Sequence, residues 1–188
     1  MKPSPLFVLS AVLCFAFVSE LYAQQPTTPS HVDVPTIEAR SQDVSTIDGV
    51  MKAFYEVISG PSGQPRQWSR DRTLYVPDIR FVAMSEDKDG RPQAHVVTHQ
   101  QFVDMADPQM VKEGFSETEI HRVTQSFGHI AHIFSTYETR AKAAGPVTGR
   151  GINSVELFYD GKRWWVASVI WDDERPDNPI SPDYLPKQ

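Results

Sequence analysis

The stretch GINSVELFYDGKRWWVASVIWD, residues 151–172, decides the fold of this chain. β-branched and aromatic residues fill both of its halves, and the pair Asp160-Gly161 separates them. An Asp-Gly pair between two such runs is the strongest short-range signal of a β-hairpin. The sequence therefore predicts two antiparallel strands, over residues 151–159 and 162–172.

The preceding stretch HIAHIFSTYETR, residues 129–140, fits either a helix or a strand by the spacing of its apolar residues. Its β-branched and aromatic content favours a strand, and Phe127-Gly128 before it is typical of a hairpin tip. We therefore predict a second hairpin with strands over 118–126 and 129–140. Further upstream, a charged Asp-Gly turn separates two more predicted strands, 79–84 and 93–98.

Three helices are predicted before these later hairpins. Apolar residues recur at intervals of three and four over residues 43–60, and Gly60-Pro61 ends the pattern. A short second helix is predicted over 64–74. A third begins at Thr98 or His99 and runs towards Met110, and Pro108 is expected to end or kink it. Helices followed by an antiparallel meander predict the α+β class, with helices on one face of the sheet.

The N-terminal residues 1–23 have the layout of a secretory signal peptide. Lys2 precedes an apolar run of about a dozen residues, too short to span a bilayer, and Ala23 offers a cleavage point. We therefore expect an exported protein, periplasmic or secreted, with no membrane span after cleavage. The remaining chain divides into a polar, Pro-containing flexible leader over 24–42, one domain over 43–175, and a Pro-rich tail over 176–188.

Composition narrows the classes of partner and chemistry. Cys14, the only cysteine, lies within the signal, so the mature chain is expected to have no disulfide and no thiol chemistry. The net charge of −6 argues against a nucleic-acid partner. No glycine-rich phosphate loop and no nucleophile elbow occur, and we predict no cofactor.

Three segments together resemble a known superfamily: TIDGVMKAFYEVISG, FGHIAHIFSTYETR and RGINSVELFYDGKRWWVASVIW. The chain resembles the nuclear-transport-factor-2-like proteins, which include SnoaL-like and ketosteroid-isomerase-like members, and within them an exported bacterial group of unassigned function. The resemblance implies a cone, in which a curved antiparallel sheet wraps around about three helices and opens to a pocket. It also implies a homodimer formed through the outer face of the sheet.

The chain departs from the catalytic members of that superfamily. A steroid-isomerase site needs a carboxylate base on the first strand, and IRFVAM, residues 79–84, has none. Tyr55 is the candidate match to the tyrosine of such a site, and Glu156 to its second acid. We therefore favour binding of a small, partly apolar molecule. The alternatives are an isomerase, dehydratase or hydrolase that uses a His and a carboxylate, and a dimeric interaction scaffold with a filled cone.

The faces of the predicted strands select the candidate pocket residues. His129 and His132 lie three apart, which on a strand puts them on opposite faces, so we predict no metal site there. By the same alternation Trp165 and Trp171 share a face and Trp164 lies on the other. Arg150 is expected to pair with Glu138 on the adjacent strand. Pattern alone leaves open which face is the inner one, and the candidates for the pocket are Tyr55, Trp68, His132, Glu138, Asn153, Trp171 and Asp172.

Overall fold

A computed structural model of the chain describes residues 31–187. The predicted signal peptide and the start of the predicted leader lie outside the described residues. Within residues 31–187 no helix is long and apolar enough to cross a membrane.

The helices begin where the sequence offers caps. Thr46 precedes the second helix and its hydroxyl accepts a hydrogen bond of 3.0 Å from the backbone N–H of Gly49. Thr98 and Gln101 form a reciprocal capping box at the start of the fourth. The four α-helices are α1 (Ser41–Val44), α2 (Ile47–Ile58), α3 (Trp68–Arg72) and α4 (His99–Glu113).

Helix α4 continues past Pro108 to Glu113, although the sequence predicted that Pro108 would end or kink it. Donors from the loop after α2 stabilise the extra turn by binding its last carbonyls. The proline removes one backbone donor from the helix. The Ser62 hydroxyl donates to the carbonyl of Lys112 over 2.6 Å, and the Gly63 N–H donates to that of Val111 over 2.7 Å. The Arg66 guanidinium donates to the carbonyl of Met110.

A curved, unclosed sheet of six strands, in the order β2-β1-β6-β5-β4-β3, packs its inner face against the helices. The pairs β1–β2, β3–β4, β4–β5 and β5–β6 are antiparallel as predicted, whereas β1 and β6 pair in parallel, with Phe81 opposite Val169. The strands are β1 (Arg80–Glu86), β2 (Pro92–Thr98), β3 (Ser116–Phe127), β4 (Ile130–Arg140), β5 (Gly149–Tyr159) and β6 (Trp164–Asp173).

Burial along β4 settles which face of the sheet is the inner one. Ala131, Ile133, Ser135 and Tyr137 alternate along the strand and are all buried. They face α2 across a core that is built mainly from aliphatic residues. The set that contains His132, Phe134, Thr136 and Glu138 therefore lies on the outer face of the sheet.

A bulge in β6 overturns the predicted faces of the tryptophans. Glu156 lies opposite Ser168 and Leu157 opposite Val166, so Ala167 is an extra residue in β6. One extra residue reverses the alternation beyond it. As a result Trp164 and Trp171 both pack against the core, and Trp165 lies on the outer face, where the Arg163 guanidinium covers its ring at 3.7 Å.

The segments that flank the domain pack against it. In the predicted leader, the N–H of Val32 donates to Asp104 over 2.8 Å, the Arg72 guanidinium donates to the carbonyl of Val34 over 2.9 Å, and Val34 is buried. In the C-terminal tail, a 3-10 turn (Pro182–Tyr184) lies on the outer face of the sheet. Its carbonyl at Tyr184 accepts from Thr136 over 2.6 Å.

Candidate functional site

A network of buried polar side chains lies between α2 and the inner face of the sheet. The hydroxyl groups of Tyr55 and Ser135 are 2.7 Å apart, and Ser135 donates to Glu119. The Asn153 amide donates to the Tyr55 oxygen over 3.2 Å and, more weakly, to Glu117 over 3.4 Å. We call Tyr55, Glu117, Glu119, Ser135 and Asn153 the tyrosine network. Its members come from α2, β3, β4 and β5.

Glu117 is the least satisfied acid of the tyrosine network. The residue retains some accessible surface, but burial of its carboxyl group raises the pKa of Glu117 to about 8, and nearby Asp173 adds to the rise. The Asn153 amide acts in the opposite direction. At neutral pH Glu117 is therefore mostly a neutral carboxylic acid.

A second tyrosine borders the network and depends on a glycine. The Tyr137 hydroxyl donates to Asp173 over 2.5 Å, and burial raises the pKa of both groups. Gly151 lies opposite Tyr137 in the ladder. A Cβ atom at Gly151 would lie 2.2 Å from the Tyr137 oxygen, so only glycine leaves room for this bond.

A second bulge, in β3, builds the charged edge of the tyrosine network. The register shifts between Glu119 and His121, which puts Glu119 and Arg122 on the same inner face although they are three residues apart. The Arg122 guanidinium binds both carboxylate oxygens of Glu119, with the shortest contact 2.6 Å, and reaches Asp48 at 2.7 Å. This ion pair holds Glu119 in position to accept from Ser135.

An open groove of about 420 Å³ runs along the tyrosine network between α2 and β3. We call it the α2–β3 groove. Lys52, Tyr55, Glu56 and Ser59 line it from the helix side, and Glu117, Glu119 and Arg122 line it from the strand. The network is thus buried from behind and reached by solvent along one edge.

A separate polar cluster lies deeper in the core. Asp71 accepts from the Tyr75 hydroxyl over 2.8 Å and lies 2.8 Å from Nε2 of His99. We call Asp71, Tyr75 and His99 the His99 cluster. All three residues are buried, and Nδ1 of His99 is buried without a hydrogen-bond partner in the described part of the chain. Phe81 packs on both Tyr75 and His99.

Two of the predicted pocket residues, Tyr55 and Asn153, meet in the tyrosine network, and two others lie in the core. Trp68 on α3 is buried and donates to Asp107 over 2.5 Å. Trp171 on β6 packs edge-on against Phe102 at 6.1 Å, on the helix side of the sheet. Both tryptophans therefore contribute aromatic packing between α4 and its neighbours.

The remaining candidates lie on the outer face, away from the tyrosine network. His132 lies 3.0 Å from the Ser154 hydroxyl and 3.9 Å from Glu156. Glu138 pairs with Arg140 at 2.6 Å, and Asp172 pairs with Arg175 at 2.6 Å.

The predicted pair of Arg150 with Glu138 is wrong. The two residues do lie opposite each other in the ladder. However, the Arg150 side chain turns to Glu174 at 2.8 Å, where the backbone N–H of Glu174 also bonds the carbonyl of Arg150. Arg150 therefore pairs with Glu174 and not with Glu138, its neighbour on the adjacent strand.

Sequence reasoning missed Glu117 and Glu119. The predicted strand began at residue 118, which left Glu117 outside the sheet. Glu117 and Glu119 alternate as strand residues on one face do, and they lie opposite Thr139 and Tyr137. Their spacing of two residues could have indicated that both lie on one face of a strand. The bulge that adds Arg122 to the same face could not have been predicted from the alternation of residue types.

Within residues 31–187, no three His, Cys, Asp or Glu side chains come together in a way that could hold a metal ion. The tyrosine network combines carboxyl groups with neutral hydroxyl and amide groups. The absence of a metal and of a cofactor stays a prediction from the sequence.

Comparison with solved structures places this fold. The chain is similar to a protein of unknown function from Mycobacterium tuberculosis, at 14% identity over 72% of this chain and 75% of that one, with a TM-score of 0.52. It is also similar to a protein of unknown function with a cystatin-like fold from Nostoc punctiforme, at 9% identity over 72% of this chain and 92% of that one, with a TM-score of 0.51. An NTF2-like protein of unknown function from Shewanella baltica, at 14% identity over 69% of this chain and 91% of that one, gives a TM-score of 0.47.

No protein-family model and no curated protein matches the chain. At such low identities the structural likeness concerns the fold and not an activity. The predicted fold class is confirmed, and this chain has an α+β, cystatin-like fold.

Proposed function

We propose that this protein binds a small, partly apolar molecule in the α2–β3 groove. The observation that carries the proposal is the tyrosine network: Tyr55 and Glu117 line the groove from two elements, and the buried Asn153 amide bonds both of them from behind. A polar group buried only for stability is expected to be fully paired, because each unpaired group costs free energy. Glu117 has a weak bond of 3.4 Å from Asn153 and lies at the groove, where a ligand can complete its bonding.

The test is a ligand-observed NMR screen of a broad panel of small molecules against the purified mature domain. Hits are expected to lose affinity in Asn153→Ala, which removes an amide from the network. The matched control is Gln125→Ala, an exposed residue of β3 on the outer face, which is expected to bind like the unaltered protein. If no molecule of the panel binds, or if the hits bind Asn153→Ala as tightly as the unaltered protein, the α2–β3 groove is not the binding site. The dimeric scaffold with a filled cone is then the remaining hypothesis.

A second candidate function is proton-transfer catalysis of the isomerase or dehydratase kind. It is supported by Glu117, because a carboxyl group with a pKa of about 8 exchanges its proton near neutral pH. A His with a carboxylate, as first expected, does occur in His99 and Asp71, but both lie buried away from the groove. Turnover of a bound hit that disappears in Glu117→Gln would favour catalysis, and a hit recovered unchanged would favour binding alone.

A homodimer through the outer face of the sheet is also part of the proposal. Phe127, Ile130 and Ile170 are 84%, 60% and 42% exposed there, and a second copy would cover them. Tyr184 already covers Phe134 with a ring contact of 4.9 Å, so the partner would meet the face beside the tail. Analytical ultracentrifugation is expected to show a dimer that Ile130→Glu weakens, and a monomer at all concentrations would reject it.

Export of the chain remains a proposal from its first 23 residues. Expression of the full-length chain in a bacterium followed by fractionation tests it. The expected result is a processed protein outside the cytoplasm that begins near Gln24. An unprocessed cytoplasmic chain would contradict it.

A further inference from the structure

The outer face of the sheet carries an apolar row that crosses all six strands. Its members are cross-strand neighbours in turn, from one edge strand to the other: Val96, Val82, Ile170, Ser154, Phe134 and Val123. We call these six residues the outer row, in which Ser154 alone is polar. Val96 is 60% exposed and Ile170 is also exposed, so the half of the row on β2, β1 and β6 is open to solvent.

The C-terminal tail covers the other half of the outer row. The ring of Tyr184 meets that of Phe134 edge-on at 4.9 Å, and the carbonyl of Tyr184 accepts from the Thr136 hydroxyl over 2.6 Å. Thr136 is completely buried although it belongs to the outer face. The 3-10 turn also lies against β3. The tail therefore occupies the outer face over β4 and β3.

The tail is fastened at its root and only lightly held where it covers the row. At the root, Arg175 pairs with Asp172 at 2.6 Å and with Glu86 at 3.2 Å, and two backbone hydrogen bonds join Arg175 to Asn178. Within residues 31–187, Thr136 provides the one hydrogen bond from the six strands to residues 179–187. A single neutral hydrogen bond and a ring contact contribute little to stability, so this part can leave the sheet while the root stays in place.

A docked tail and a facing second copy exclude each other over β4 and β3. Two sheets that pack face to face lie about 10 Å apart, with their side chains filling the gap. A chain segment bonded to the Thr136 hydroxyl occupies that gap. Any two-fold axis centred on the outer face sets the half under the tail against the partner, because both copies use the same surface.

The size of the face also requires the covered half. A stable interface buries about 800 Å² on each partner, which is about the extent of the whole outer face at roughly 16 Å² for each strand residue. With the tail docked, two copies can meet only beside it, over the exposed residues of the β2, β1 and β6 half and of the β3–β4 hairpin tip. Such a contact falls short of the whole face.

We propose that residues 179–188 are a removable cover of the outer row, and that a second copy of this chain binds where the cover lies. The inference rests on the proposed homodimer and adds its regulation. The tail mimics the partner, since Tyr184 fills the place over Phe134 that an apolar side chain of the second copy would take. The covered chain dimerises weakly, and the uncovered chain buries the whole outer row.

The test compares the mature chain with a version that ends at Asn178, which keeps the root of the tail. Sedimentation velocity over a series of protein concentrations gives the dimer dissociation constant of each. The shortened chain is expected to dimerise at least about tenfold more tightly, because burial of one large apolar side chain suffices for such a change. Phe134→Glu in the shortened chain is expected to reverse this gain.

A variant of the complete tail makes the test independent of the truncation. Tyr184→Ala removes the ring over Phe134 and is expected to strengthen the dimer in the same direction. Pro186→Ala, at an exposed position of the same tail, is the control and should leave the dissociation constant unchanged. If the shortened chain does not fold, as judged by circular dichroism, Tyr184→Ala against Pro186→Ala decides the question.

The outcomes separate the inference from the homodimer on which it rests. Dimers of equal strength with and without the tail would keep the homodimer and overturn the cover. A weaker dimer without the tail would also overturn it, since the tail would then belong to the interface. A tighter dimer that Phe134→Glu leaves intact would place the contact elsewhere and overturn the inference. Monomers in every case would overturn both.

Discussion

The tyrosine network and the His99 cluster are built from the same kinds of side chain and differ in what surrounds them. Each has a tyrosine hydroxyl bonded within a group that contains a carboxyl. In the His99 cluster, Asp71 is 1% exposed and bonds on both oxygens. In the tyrosine network, Glu117 is only weakly bonded and lies at an open groove.

The difference separates a polar group that supports the fold from one that is free to bind. A saturated carboxylate inside an aromatic core contributes by satisfying its neighbours, and its loss leaves them unpaired. A carboxyl group beside water keeps bonding capacity and tolerates substitution, because water replaces the lost partner. We therefore expect substitutions in the His99 cluster to affect stability and those in the tyrosine network to affect binding.

The largest expected effect is that of Asp71→Ala. The substitution leaves the Tyr75 hydroxyl and Nε2 of His99 buried without an acceptor. Removal of one partner from such a buried group costs about 3–5 kcal/mol. Urea denaturation should therefore show a free energy of unfolding lower by that amount. Asp78→Ala, at an exposed position, serves as the control and should change stability by less than about 0.5 kcal/mol.

A matched pair of tyrosine substitutions compares the two regions directly. Tyr75→Phe deprives one Asp71 oxygen of its donor in the closed core, and we expect a loss of about 1–3 kcal/mol. Tyr55→Phe leaves Ser135 its bond to Glu119 and Asn153 its bond to Glu117, with water available along the groove. The loss there is expected to be about 1 kcal/mol or less. If urea denaturation shows that both substitutions lower the free energy of unfolding equally, the two regions do not differ in their contribution to stability.

The last expected effect is a change of stability with pH that originates at Glu117. Its pKa rises from 4.5 to about 8 on folding, so between these pH values the folded chain holds a proton that the unfolded chain has lost. Stability therefore falls as the pH rises through this window and levels off above it. One such group contributes at most about 1.4 kcal/mol per pH unit, and the partial exposure of Glu117 lowers that figure.

Glu117→Gln removes this titrating group, so its stability relative to the unaltered protein should increase from pH 5 to pH 8. Urea unfolding at four pH values measures the difference. Neither glutamine nor alanine titrates, so the stability of Gln125→Ala relative to the unaltered protein should be the same at all four pH values. A constant difference for Glu117→Gln as well would mean that its carboxyl group is not desolvated in the folded protein.

The sequence allowed the fold to be predicted because its local signals agreed. The Asp160-Gly161 turn, the apolar spacing along α2 and the Thr98 cap each act within a few residues. The parallel pairing of β1 with β6 was missed, since it joins strands far apart in the chain and leaves no local pattern. The same limit explains Arg150, whose partner Glu174 follows the end of β6.

The candidate site was predicted only in part, because alternation fails at a bulge. Tyr55 and Asn153 were predicted as pocket residues, one on a predicted helix and the other on a predicted strand. Glu119 and Arg122, three apart on a strand, were not expected to meet, and the extra residue between them in β3 makes them partners. The bulge at Ala167 had the same effect on the tryptophans of β6.

The parallel pairing of β1 with β6 also has a consequence for how the protein is made. Synthesis proceeds at about 5–20 residues per second, so β1 and β2 leave the ribosome several seconds before the strand that joins them to the rest of the sheet. Until Trp164–Asp173 is complete, β1 and β5 each present an unpaired edge, and such edges recruit other strands. A nascent chain interrupted before β6 would therefore contain two sheet fragments that are not hydrogen-bonded to each other, β2-β1 and β5-β4-β3. The six-stranded sheet can form only after β6 has been synthesised.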